Sequence, residues 1–74
     1  MKKCSLAHIS EGETATIAGV TGGAHMTRRL KDIGLVDGAQ ATALFRNHSL
    51  RAYLIKGAVI AIRDEDARKI SVWR

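Results

Sequence analysis

Leu50-Arg51-Ala52-Tyr53-Leu54-Ile55-Lys56-Gly57-Ala58-Val59-Ile60-Ala61-Ile62-Arg63 is the stretch whose reading decides the fold. In an extended chain Leu50, Ala52 and Leu54 fall on one side, and Arg51, Tyr53 and Ile55 on the other. Beyond Lys56-Gly57, Ala58, Ile60 and Ile62 alternate against Val59 and Ala61. Two period-two runs joined by so short a break predict an antiparallel hairpin, with Gly57 supplying the positive φ that a tight turn demands. A hairpin alone is marginal in water, so further strands must pack on it.

Those strands are found on both sides. In residues 39–46, Ala39, Ala41, Ala43 and Phe45 share one face, with Gln40, Thr42 and Arg46 on the other. Thr14–Val20 is rich in β-branched residues, places Ala15 and Ile17 together, and follows a turn at Gly12-Glu13. Leu6 and Ile9 read as core contacts from a leading turn or short arm. Downstream, Asp64 is a suitable N-cap for one helical turn, with Glu65 and Asp66 near its positive end and Arg68 and Lys69 near its negative end. Ile70–Trp73 is a last short strand.

One segment departs from period two. In residues 25–33, Met26, Leu30 and Ile33 recur at i, i+4 and i+7, one face of a helix. Gly34 then suits the left-handed C′ position, and Leu30 with Leu35 is the apolar pair of a Schellman stop. Val36-Asp37-Gly38 turns the chain into the next strand. The order is strand, helix, three strands, helical turn, strand. About five short strands cannot bury a flat open sheet, so the chain is expected to be mainly β and to curl into a small SH3-like barrel, with an OB-like barrel as the second choice.

Length and composition agree. The 74 residues give room for one domain. The single cysteine, Cys4, permits no internal disulfide, and a lone thiol suits a reducing cytosol. No apolar run approaches the ~20 residues of a membrane helix, and the start Met-Lys-Lys-Cys-Ser-Leu lacks the pattern of a signal peptide, so a cytoplasmic location without membrane insertion is expected. A net charge of +5 admits three partners: nucleic acid, an anionic membrane surface or an acidic protein face.

The basic helix and its stop, Arg28-Arg29-Leu30-Lys31-Asp32-Ile33-Gly34-Leu35-Val36-Asp37-Gly38, resemble the FeoA domain family's leucine-containing basic helix closed by Gly-Leu-x-x-Gly. Tyr53 through Arg63, then Asp66-Ala67 and Ile70–Val72, resemble that family's closing hairpin, helical turn and final strand. The resemblance runs from about Leu6 to Val72. It implies an SH3-like barrel with a helix after the first long strand, and a role beside FeoB, the membrane ferrous-iron transporter with a cytoplasmic GTP-binding portion. It also implies a location that is peripheral to the inner membrane through that partner. A similar domain closes some metal-dependent repressors, where it follows a DNA-binding domain. The short polar loop Arg46-Asn47-His48-Ser49 departs from the longer connection of many relatives.

The residues carry little chemistry. Gly19-Val20-Thr21-Gly22-Gly23-Ala24 precedes the helix, but no Gly-Lys-Ser/Thr closes it, so it is a turn and not a phosphate loop. Cys4, His8, His25 and His48 are the borderline-soft ligand types. Only Cys4 and His8 are closely spaced, and no four-ligand site can be read from them, so no cofactor beyond a weak or adventitious transition metal is expected. Glu11 with Glu13, and Asp64 with Asp66, sit at predicted turns where acids cap or solvate, and no catalytic group stands out; the protein is not expected to be an enzyme. Arg28 and Arg29 fall in the first turn of a helix that starts near His25, where cations oppose the dipole, so helix stability alone does not explain them; they are either a solvated basic patch or a grip for acidic side chains or phosphates. The expected contact residues are Arg28, Arg29, Leu35 and Arg51, in a monomer that binds a transporter. Nucleic-acid binding is the alternative, disfavoured by only three aromatics and by Phe45 on a core face. A metal-sensing domain is the third reading.

Overall fold

The structure, a computed structural model, describes residues 2–20, 23–32 and 34–74, except for the side chains of residues 24–27. Six strands form one antiparallel sheet: β1 (Lys3–Ser5), β2 (Thr14–Val20), β3 (Gln40–Asn47), β4 (Leu50–Ile55), β5 (Ala58–Arg63) and β6 (Ile70–Trp73). Helix α1 (Gly23–Asp32) lies between β2 and β3, and the single turn α2 (Asp64–Ala67) between β5 and β6. A 3-10 turn, Leu6–His8, is the leading turn expected around Leu6. The strand order is β1-β6-β2-β3-β4-β5.

The sheet is curled. The Tyr53 hydroxyl on β4 donates a hydrogen bond of 3.1 Å to the carbonyl of Leu6, which follows β1. In a flat sheet those strands, four steps apart in the order, would lie roughly 19 Å from each other. Ala15 and Ile17 of β2, Ala41 and Ala43 of β3, Tyr53 and Ile55 of β4, Ile62 of β5 and Ile70 and Val72 of β6 meet in a single buried cluster. Curling thus brings every inner face onto one core, the arrangement expected of an SH3-like barrel. Leu6, Ile9, Leu30, Leu35 and Ala67, from outside the strands, complete the cluster.

β1 is an addition to the expected strands. It pairs Lys3 with Trp73, Cys4 with Val72 and Ser5 with Ser71. Three residues are too few to show period two, so only the pairing defines it. The β4–β5 turn is as read: Lys56 (φ 51) and Gly57 (φ 81) both adopt positive φ, the pattern of a type I′ hairpin.

Two expectations need correction. Phe45 does not share the face of Ala41 and Ala43; it is 55 % exposed. The register of β3 against β4 slips between Ala43, paired with Tyr53, and Phe45, paired with Ala52. That bulge inserts Leu44 and turns Phe45 to the outside. Asp64 is not an N-cap either. Arg63 holds that position, no side chain caps the turn, and Asp64 is the first helical residue.

The outer face of β3–β4–β5 follows from the same register. Its cross-strand rows are Thr42–Leu54–Val59, Phe45–Ala52–Ala61 and Asn47–Leu50–Arg63. Alternation therefore leaves β4 apolar on both sides: Tyr53 and Ile55 face the core, while Leu50 and Leu54 are exposed.

Helix α1 ends as its sequence requires. The Gly34 amide donates to the Lys31 carbonyl (3.0 Å) and the Leu35 amide to the Leu30 carbonyl (2.9 Å), the two bonds of a Schellman motif. Gly34 has φ 95, and Leu30 and Leu35 are both buried. Gly38 (φ 88) then donates to the Ile17 carbonyl (2.8 Å), seating the turn on β2. The other two apolar positions assigned to the buried helix face lie outside the description: Ile33 altogether, and Met26 for its side chain.

Candidate partner-binding surface

Helix α1 sets the position of the paired arginines. It begins at Gly23, two residues before the expected start, because Gly23 (φ 84) turns the chain directly into it. Arg28 and Arg29 therefore leave the first turn. Arg29, with Lys31, lies in the last turn, where a cation suits the negative end of the helix. The helix dipole thus gives no reason for either arginine to be a binding residue, and what remains is accessibility. Both arginines are exposed, and neither is in an ion pair among the described residues.

Arg51 is placed quite differently. It lies on β4, cross-strand from Arg46, and its side chain is 17 % exposed. Its Nε–H donates to Asp64 Oδ1, while Arg68 reaches Oδ2 at 2.9 Å from one turn further along. Asp64 thus joins two arginines, and its carboxylate offsets the cross-strand repulsion of Arg51 and Arg46. Arg51 is a structural residue, engaged inward rather than offered to a partner. The hydrogen bond from Arg51 holds the Asp64 carboxyl below the ordinary carboxylate range; partial desolvation opposes this, and the charges of Arg51, Arg68 and Arg46 assist it. Tyr53 beside it is pushed above the ordinary phenol range by burial, with Arg51 pulling the other way.

The depressed Asp64 value makes a prediction. A carboxyl whose folded value lies below its unfolded value near 3.9 contributes stability that is fully present above that unfolded value and is lost as pH falls through the folded one. Urea midpoints of the wild type and Asp64→Asn should therefore differ most at neutral pH, with the wild type higher. The gap should narrow below about pH 4. A gap of constant size across that range would mean that the carboxylate's charge is not what joins α2 to β4.

Leu35 is also removed from the contact surface. It is 2 % exposed and belongs to the core, packed as the partner of Leu30 in the helix stop. Among the described residues, the metal-ligand candidates form no group of three. Cys4 lies in β1, His8 Nδ1 sits 2.9 Å from the Ser5 hydroxyl, and His48 (φ 54) is exposed in the β3–β4 turn. The side chain of His25 lies outside the described residues. Among the described residues, no group of three or more His, Cys, Asp or Glu could hold a metal ion.

Of the acids at the turns, Glu13 is held by specific partners, as Asp64 is. Glu13 accepts from the Ser10 amide at 2.9 Å and pairs with Arg74 at 3.1 Å, tying the second loop to the C-terminal end. Lys3 lies over the Trp73 ring, 5.6 Å from its centroid, on the outer side of β6. Sequence reading missed the Asp64 hub and the exposure of Phe45. For Phe45 a signal existed: Ala43-Leu44-Phe45 is a run of three apolar residues, which breaks strict alternation and is what a bulge looks like in sequence.

Comparison with known proteins matches this architecture. No curated protein matches the chain by sequence. Among solved structures it is similar to the solution structure of FeoA from Chlorobium tepidum, at 27 % identity and a TM-score of 0.86, over 93 % of this chain and 68 % of that one. It shares its fold with the crystal structure of an iron uptake regulatory protein, FeoA, at 22 % identity and a TM-score of 0.86, over 97 % of each chain. The same fold occurs in Stenotrophomonas maltophilia FeoA complexed with zinc, an SH3 domain protein, at 18 % identity and a TM-score of 0.79, over 92 % of this chain and 87 % of that one. It recurs as part of a manganese-dependent transcriptional repressor, of which the chain covers only 41 %. The family model of the FeoA domain matches residues 4–74, nearly the whole length, and the chain belongs to that family.

Proposed function

We propose that this protein is a small cytoplasmic accessory factor of bacterial ferrous iron uptake, acting by protein–protein contact with the cytoplasmic GTP-binding portion of a FeoB-like membrane transporter. Its family membership supports the reading, as does the Stenotrophomonas relative, which is named as a candidate ferrous iron transport activating factor. The observation that carries it is the exposed Arg28-Arg29 pair on α1, neither member of which is in an ion pair among the described residues. Arginines so placed steer and orient an acidic partner face. The zinc-bound relative gives metal sensing a hearing, but among the described residues no group of three or more His, Cys, Asp or Glu supports it.

Arg28→Glu with Arg29→Glu should leave the fold intact, with a stability cost of about 0.5 kcal/mol or less, because the two side chains are exposed and only Arg29 gains from the dipole. Association with the transporter's cytoplasmic portion should slow several-fold at low salt, and the difference should shrink as salt is added. A titration of the folded double variant, run beside an RNA-binding assay, checks this. Unchanged transporter binding takes the arginines out of the interface. The RNA arm has its own reason. Phe45 and Trp73 are both exposed, and although Lys3 lies over the Trp73 ring, the Phe45 ring is open to stacking after all. Loss of RNA binding with transporter binding intact would favour the nucleic-acid reading.

A further inference from the structure

The outer face of β4 and β5 is left without a partner by everything described above. Leu54 and Val59 are directly paired there, Phe45 stands in the next row, and Leu50 in the row beyond it. All four are exposed, Val59 by 64 %. Directly opposed side chains in a sheet lie about 5 Å apart and diagonal neighbours about 7–8 Å, within reach of an aromatic ring, so Phe45 in the middle row links the Leu54–Val59 pair to Leu50 in an apolar stretch across three rows. None of the nine positions in the three rows carries a carboxylate. A cation stands at each end: Lys56 in the turn beside Leu54 and Val59, and Arg63 in the same row as Leu50. Neither is in an ion pair among the described residues. Glu65 lies near Arg63 but on α2, across a shallow depression lined by both.

We infer that this face is a membrane-surface binding site, taking the anionic headgroups of a lipid bilayer on Lys56 and Arg63 while Phe45, Leu50, Leu54 and Val59 enter the headgroup boundary. Charge complementarity selects that occupant. A second copy seated on the same face would bring Lys56 and Arg63 of both copies together with no carboxylate on either sheet face to offset them. Shape points the same way. The patch is the outside of a curled sheet, so it offers projecting side chains to a deformable phase and no groove for a rigid helix. Such adsorption needs buried apolar area plus attraction to anionic lipid, and requires no spanning segment. Among the described residues no helix is long and apolar enough to cross a membrane. The inference uses β4–β5 and is independent of the α1 arginines.

The test is flotation with vesicles of phosphatidylglycerol and phosphatidylcholine in equal parts, against vesicles of phosphatidylcholine alone, using the full chain. The wild type should float with the anionic vesicles at low salt and be released by salt. Lys56→Gln with Arg63→Gln should weaken that binding about 10- to 30-fold, the effect of two surface cations. Leu54→Gln with Val59→Gln should abolish it; Val59→Gln alone, at the more exposed position, should weaken it with an unchanged urea midpoint. The inference is overturned if the wild type does not float on anionic vesicles. It is equally overturned if the glutamine variants on the apolar pair float as well as the wild type. Concentration-dependent self-association lost in Leu54→Gln with Val59→Gln, without vesicle binding, would assign the face to a second copy and overturn it too.

Discussion

Replacing Leu35 with alanine is expected to lower stability by about 2–4 kcal/mol, the range for truncating a buried leucine without full collapse of the cavity. Leu35 is buried to 2 % exposure and packs in the central cluster. Its amide also closes the 2.9 Å bond to the Leu30 carbonyl that ends α1. Alanine keeps that bond and removes the side chain, so the loss reports packing alone. In a domain of this size one kcal/mol moves the thermal midpoint by about 4–8 °C, which puts the expected fall at about 10–30 °C. Little stability remains to such a small core, so part of the population should be unfolded at physiological temperature. Thermal denaturation followed by circular dichroism checks this. A midpoint within a degree or two of the wild type would restore Leu35 to the surface as a contact residue.

The second large effect is expected at Gly34. Gly34→Val should destabilise the domain by about 1–3 kcal/mol, because a β-branched residue is a steric outlier at positive φ. The backbone there has φ 95. Space is not the difficulty: an added Cβ would meet Lys56 Cδ at 3.7 Å and Ile55 Cγ2 at 3.8 Å, ordinary contact distances. The cost is therefore conformational, which makes a graded series informative. Asparagine, which tolerates the left-handed region better, should cost less than alanine, and alanine less than valine. Urea midpoints of the three variants give the order. Equal losses in all three would mean that contacts, not φ, restrict the position.

The two substitutions sit side by side in sequence and illustrate where sequence reading is strong. Gly34, Leu30 and Leu35 were legible because a helix stop is local: it needs one residue that accepts positive φ and an apolar pair at a fixed spacing. The β4–β5 hairpin and the strands β2 and β6 were legible for the same reason, since period two and a glycine turn act within a few residues. The mainly β architecture follows from those local signals and the absence of any other way for so short a chain to bury them.

What tertiary structure decided is what depends on register. Phe45 satisfied the alternation of β3 and still points outward, because the bulge at Leu44 is fixed by how β3 meets β4. Arg51 looked like a free cation because Asp64, its partner, is thirteen residues away across the hairpin and comes beside it only when β4 and β5 pair. Asp64 could have capped α2 on local grounds, but two arginines compete for its carboxylate and win it. Only the fold, too, could show that Leu50 and Leu54 share a face with Phe45 and Val59, since composition counts apolar residues without saying which side of a sheet they occupy. The sequence by itself determined which segments are strands and where the helix stops, because those are set by short-range backbone and side-chain geometry. Which arginines are free, and which apolar residues remain outside the core, waited on cross-strand pairing, because that pairing joins residues whose spacing along the chain carries no local energetic signature.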